Sequence, residues 1–230
     1  MSCLRCELYG LTQDRQPSLG VFFHVAALPQ TASILPEQLR VIAESGLMQW
    51  TERSYATIAG WDGSQQVLDY RRQLEDAGFT ETIAEPRLTR WEFPTVRTLW
   101  EHCLRTRSNK HFVLYLHTKG ASKAGDPDAA WRRELMSFAV QDWRLRVREL
   151  DGGRLTSGPR YLSYGCGEPA SFVAAHGHYS GNIWWAASDY VSWLPDPEQF
   201  HSSRSNRYAA EAWIGQHPGI NRLRSELSDR

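Results

Sequence analysis

Three stretches of this 230-residue chain carry side chains that could do chemistry. In Val113–Ser122 (VLYLHTKGAS) an apolar run ends in His117, Thr118, Lys119 and Gly120, delivering an imidazole, a hydroxyl and a cation together. A lysine and a glycine so placed can meet phosphate oxygens, the glycine by letting backbone come close. The residue order is not that of a P-loop, and a surface turn with a solvated lysine is the plainer alternative. In His178–Pro195 the small polar turn Ser180-Gly181-Asn182 leads into adjacent Trp184 and Trp185. Neighbouring strand residues face opposite sides. One tryptophan is therefore expected in the core and the other against a lid, a helix or a sugar ring, with packing of both as the alternative. In Arg207–Gly215 (RYAAEAWIG), Glu211 stands among small and apolar residues, a setting that raises carboxyl pKa values and suits a general base. A solvated helical glutamate is the competing reading. Cys3 and Cys6 have a spacing used by zinc and redox sites, but Cys103 and Cys166 stand apart from them, so the pair reads as incidental.

These residues need elements to position them. Short apolar runs alternate with amphipathic stretches. Strands are expected at Val21–Leu28, Tyr55–Gly60, Thr80–Ala84, Phe112–Leu116, Tyr161–Tyr164 and Asn182–Ala186. Helices are expected from near Pro36 to Ser45, over Gln65–Ala77, Phe93–Arg105, Ala130–Leu150 and Tyr208–Ile214, with glycines at several stops. The alternation predicts one α/β domain with a mostly parallel central sheet and helices on both faces. Ligands of such sheets bind beyond the carboxyl ends of the strands. The turns to inspect are thus Trp61-Asp62-Gly63, His117–Gly120 and those around Gly165 and Ser180.

Composition narrows the class. The chain is 41% hydrophobic and 23% charged, which excludes a disordered protein, and its 26 basic and 26 acidic residues give no net charge for coating nucleic acid. No apolar run approaches the roughly 20 residues that span a bilayer, and no signal-like segment opens the chain, so a cytoplasmic protein is expected. Ten tryptophans, nine tyrosines and eight phenylalanines tilt the reading toward a ring-shaped ligand.

Five ordered motifs go further. They are Glu92-Phe93-Pro94-Thr95, His117-Thr118-Lys119-Gly120, Trp131-Arg132, His178 through Ala186, and Ala210 through Gly215. Together they make residues 20–216 resemble glycosyltransferases of the A-type nucleotide-sugar fold, and more closely a bacterial and viral group of glycosyltransferase-like proteins. Residues 1–19 and 217–230 are then an extension and a tail. The resemblance implies a donor site using Asp62, Glu92, Thr95, His117, Thr118 and Lys119. It implies an acceptor side shaped by Ser180, Asn182, Trp184 and Trp185, with Glu211 as the base if the transfer inverts; a retaining transfer needs no such base. Related transferases hold a divalent metal such as Mn or Mg on an Asp-x-Asp at a strand end. Here that strand ends in His117-Thr118-Lys119, and the Asp126-Pro127-Asp128 sequence lies several residues beyond it. Lys119 can neutralise a diphosphate itself, while Asp128 also suits a helix cap.

The expected function is transfer of a sugar from a nucleotide-sugar to a glycan or lipid hydroxyl. The alternatives are a binding module that has lost catalysis and a phosphate-handling enzyme using His117 and Lys119.

Overall fold

The computed structural model describes residues 17–107, 110–162, 177–204 and 209–216. Its central sheet has six strands in the order β3-β2-β1-β4-β8-β5. Strand β1 (Ser18–Ala26) pairs in parallel with β2 (Thr51–Ala59) on one side and β4 (His111–His117) on the other, and β2 pairs in parallel with β3 (Glu81–Glu85). Strand β8 (Trp184–Ala187) runs antiparallel to β4 and to β5 (Thr156–Ser157). A separate ribbon joins β6 (Tyr161–Leu162) to β7 (His178–Tyr179).

Period-2 alternation in β1 sorts the two faces. Leu19, Val21, Phe23 and Val25 enter a core with helices α1 (Thr31–Ser45), α2 (Gln65–Asp76), α4 (Ala129–Met136) and α5 (Trp143–Asp151). Phe22 points the other way, into a core with α3 (Phe93–Thr106), α6 (Ser188–Ser192), α7 (Pro197–Arg204) and α8 (Ala209–Trp213). Helices thus cover both faces, as the alternating sequence predicts. Among the described residues no helix is long and apolar enough to cross a membrane.

Three expectations change in detail. Helix α1 begins at Thr31, whose hydroxyl binds the Ala26 carbonyl, so Pro36 falls past the first turn where a missing N–H is harmless. The single helix expected over 130–150 is interrupted by a π-turn at Ser137–Gln141, closed by the Asp142 N–H on the Ser137 carbonyl at 3.0 Å. Within that turn the Ala139 carbonyl accepts the indole N–H of Trp185 at 2.8 Å. Trp184, on the opposite face, stacks on Tyr115 with 5.1 Å between ring centres. Both tryptophans are buried, Trp184 at 1% exposure and Trp185 at 0%. The expectation that one meets a sugar is corrected: each face of the sheet has its own helical layer, so each ring has a core to enter.

The amino end of the sheet holds a chain of polar side chains. Ser18 donates to Glu52, the Nδ1 of His111 lies 2.6 Å from Ser18 Oγ, and its Nε2 lies 2.7 Å from Nε2 of His102. Gly20 makes room for this pair, since a Cβ there would stand 3.1 Å from His111 Nε2. Cys103 is buried. Cys3, Cys6, Cys166, the turn around Gly165, residues 1–16 of the extension and the whole tail from 217 to 230 lie outside the described residues.

Candidate functional site

Strands β2 and β3 lie on one side of β1 and β4 on the other, so the chain reverses direction across the sheet between β1 and β4. Ligands of open α/β sheets bind in the crevice that this reversal opens at the carboxyl ends of the strands. A cleft of about 280 Å³ occupies that position, lined by His24 and Ala26 from β1 and by His117–Lys123 after β4. Leu88, Trp91, Glu92 and Glu211 line it as well.

Its floor is a buried polar network. His24 and His117 are register partners on adjacent strands. His24 Nδ1 meets Thr95 Oγ1 at 3.1 Å, from the first turn of α3. His117 Nε2 lies 2.7 Å from the Gly181 carbonyl, and its Nδ1 lies 3.3 Å from Glu92 Oε1. The other carboxylate oxygen of Glu92 accepts the Tyr115 hydroxyl at 2.8 Å and the Asn182 amide at 2.5 Å. Asn182 in turn accepts the Trp184 indole N–H at 3.0 Å. Burial pushes both imidazoles down to about 4, opposed for His24 by Glu92, while the Lys119 ammonium pushes His117 the same way. Burial and then the Glu92 carboxylate push the Tyr115 hydroxyl up.

The Ser180-Gly181-Asn182 turn is built for this contact. Gly181 and Asn182 both have positive φ (85° and 49°), which glycine and asparagine tolerate best. A Cβ at Gly181 would stand 2.5 Å from Leu135 Cδ1. Only glycine lets this turn press its carbonyl toward His117.

The loop after β4 is held from behind by two consecutive residues of α4. The Lys119 ammonium lies 4.3 Å from the centre of the Trp131 ring. The buried Arg132 donates to the Lys119 carbonyl at 3.1 Å, to both oxygens of Asp126 at 2.7 Å and to Glu37 at 2.8 Å. Thr118 ties the loop to β1, its N–H on the His24 carbonyl and its hydroxyl accepting from Ala26 N–H, each at 3.0 Å.

The Asp126-Pro127-Asp128 sequence does not fit a metal. Asp126 is taken by Arg132, and Asp128 pairs with Lys123 at 2.8 Å. Asp128 stands at the N-terminus of α4, but its side chain makes no capping bond there. Among the described residues, no group of three or more His, Cys, Asp or Glu side chains could hold a metal ion.

Glu211 enters from the far wall. Helix α8 is pinned by the Trp213 indole N–H on the Pro195 carbonyl at 2.9 Å and by the Tyr190 hydroxyl on the Ile214 carbonyl at 2.6 Å. Glu211 lies close enough for its charge to raise the pKa values of His117 and Tyr115.

Of the residues expected from sequence, Glu92, His117, Thr118, Lys119 and Glu211 line the cleft. Thr95 and Asn182 sit behind it, positioning His24 and Glu92. Ser180 donates its N–H to the Arg160 carbonyl and is not in the lining. Asp62 is exposed and paired with Arg71 at 3.2 Å, away from the lining. Trp184 and Trp185 are core residues. Sequence reading missed His24, Trp91 and Tyr115. A histidine inside the apolar run VFFHVAAL was the available signal for the first, since a buried imidazole needs a polar partner.

No curated protein matches the chain. Over residues 21–206, which take in β4 and β1 from Val21 onward, it matches the family described as Domain of unknown function (DUF8361), and to that family it belongs.

Proposed function

We propose that the cleft binds a nucleotide-sugar and transfers its sugar to a hydroxyl of a glycan or lipid. The observation that carries this reading is the placement of Lys119 and Glu211 in the lining of one crevice at the chain-reversal point. A cation there can neutralise the departing diphosphate, and a carboxylate across from it can take the acceptor proton as the oxygen attacks the anomeric carbon. Because Asp126 and Asp128 are both engaged by cations, no step is routed through a metal on them. The same engagement favours, as a second reading, a module that binds the donor without turnover. Phosphate chemistry on His117 is disfavoured, because both its ring nitrogens already face protein acceptors.

The test is thermal stabilisation by nucleoside diphosphates and their sugars, followed by a transfer assay with and without Mn²⁺. Ligand binding to the fold raises its melting temperature by mass action. Glu211→Gln is expected to keep donor binding and to lower transfer by at least about a hundredfold. Binding without transfer by the parent would decide for the binding module. Absence of binding to any nucleotide would sink both.

A further inference from the structure

Trp91 has a backbone that tryptophan does not choose. Its φ is 45° and its ψ −126°, a region that only glycine enters without strain. The preceding turn, Leu88–Arg90, is clamped from two sides. Glu85 at the end of β3 accepts from the Arg87 N–H at 3.0 Å and from its guanidinium at 2.9 Å, and Arg90 reaches both Glu85 and Glu198 of α7. The Trp91 N–H closes the turn on the Leu88 carbonyl at 3.0 Å. Such clamping is what lets a strained residue persist, and strain of this kind gathers at ligand clamps.

The ring is held as firmly as the backbone. The Trp91 indole meets His201 edge-on, with 6.0 Å between centres and 88° between planes, and His201 packs on Phe93 at 4.5 Å. The tryptophan is only partly buried, and it lines the cleft beside Leu88 and Glu92. Through His201 and Phe93 it joins the side of the sheet that holds α3 and α8, where Glu92 precedes α3 and Glu211 lies in α8. Lys119 leans instead on Trp131 of α4, on the other side. Trp91, Lys119 and Glu211 thus line one cleft from both sides of the sheet, and the partly buried indole is the aromatic ring that lining presents to a ligand.

We infer that Trp91 forms a sugar-ring subsite, its indole stacking on the pyranose of the donor held between Lys119 and Glu211. The assignment rests on the nucleotide-sugar reading of the cleft. The π-face of an indole is electron-rich and attracts the polarised C–H groups that one side of a pyranose presents.

The subsite predicts a difference between two ligands that share a nucleotide. Affinities of UDP, GDP and ADP, and of UDP-glucose, GDP-mannose and ADP-glucose, are measured by calorimetry for the parent, Trp91→Gly and Trp91→Phe. Trp91→Gly is expected to lose about tenfold in affinity for the nucleotide-sugar that the parent binds and nothing for the matching diphosphate. Trp91→Phe, which keeps a ring, should fall between. Because glycine accepts this φ freely, Trp91→Gly should melt within a few degrees of the parent. Equal loss for diphosphate and nucleotide-sugar, no loss for either, or collapse of the Trp91→Gly fold would each overturn the subsite while leaving the nucleotide-sugar reading in place. A parent that binds none of the six ligands would overturn that reading and the subsite together.

Discussion

The carboxylate of Glu92 stands 3.3 Å from Nδ1 of His117. A neutral imidazole donates from one nitrogen only, and here the Gly181 carbonyl, 2.7 Å from Nε2, claims that proton. The Nδ1 lone pair then faces a carboxylate unless a proton lies between them. Glu92→Gln supplies one: its amide N–H can donate to Nδ1 while its carbonyl accepts from Tyr115 and Asn182. Denaturant unfolding should show Glu92→Gln at least as stable as the parent. Glu92→Ala, which strips the acceptor from two buried donors, the Tyr115 hydroxyl and the Asn182 amide, should lose at least about 2 kcal/mol. Equal losses for both variants would mean that His117 carries the proton as an imidazolium.

Acid should destabilise the fold over a defined window. Burial holds His24, His111 and His117 down to about 4 and His102 to about 3, His111 adding to the effect on His102. Unfolded histidine takes up its proton near 6.5. Between those values the unfolded chain binds more protons than the folded one. Their contribution to stability is therefore complete above about pH 6.5 and is lost as pH falls toward 4. Each ring adds a slope of up to about 1.4 kcal/mol per pH unit. Urea titrations from pH 7 to pH 4.5 should register the uptake of more than one proton on unfolding, and a flat profile would count against neutral rings.

Lys119 tests the diphosphate site. Its ammonium rests on the Trp131 ring, a contact worth about 0.5–2 kcal/mol, whereas a charge-assisted bond to phosphate is worth about 1.5–3 kcal/mol. Lys119→Ala should therefore fold nearly as well as the parent. Its affinity for the best-bound nucleoside diphosphate should drop roughly tenfold or more, as read by calorimetry. Unchanged affinity would remove Lys119 from the site.

The paired tryptophans make a stability prediction. Trp185→Ala empties space beside the π-turn and Trp184→Ala empties space beside Tyr115. Each should cost about 3–5 kcal/mol by chemical denaturation. A variant of either that melts like the parent would restore a ligand-facing role to that ring.

Much of the fold was legible from the chain. Phe112–Leu116 is apolar throughout because both faces of β4 are covered, and the glycines after α1 and α2 mark real helix ends. The site was half legible. His117, Thr118 and Lys119 follow a strong strand, so the topology delivers them to the ligand edge. Periodicity gives a strand's faces but not what packs on them. That is why the Trp184-Trp185 pair, with a helical layer on each side, was misjudged. His24 was hidden among apolar neighbours, and only the approach of Thr95 shows what it needs. The strain at Trp91 has no sequence signal, since it comes from clamps at Glu85 and Glu198.

The antiparallel return of β8 fixes when the chain becomes safe as well as where its groups lie. Until residues 184–187 are synthesised, β4 is an edge strand whose seven residues, all buried in the finished fold, offer open backbone to any neighbouring chain. The Gly181 carbonyl and the Asn182 amide that complete the His117–Glu92 contact arrive at that same moment. The half-made protein on the ribosome is thus both without the finished His117–Glu92 contact and open to strand-to-strand aggregation. Closing the sheet ends both conditions in one step.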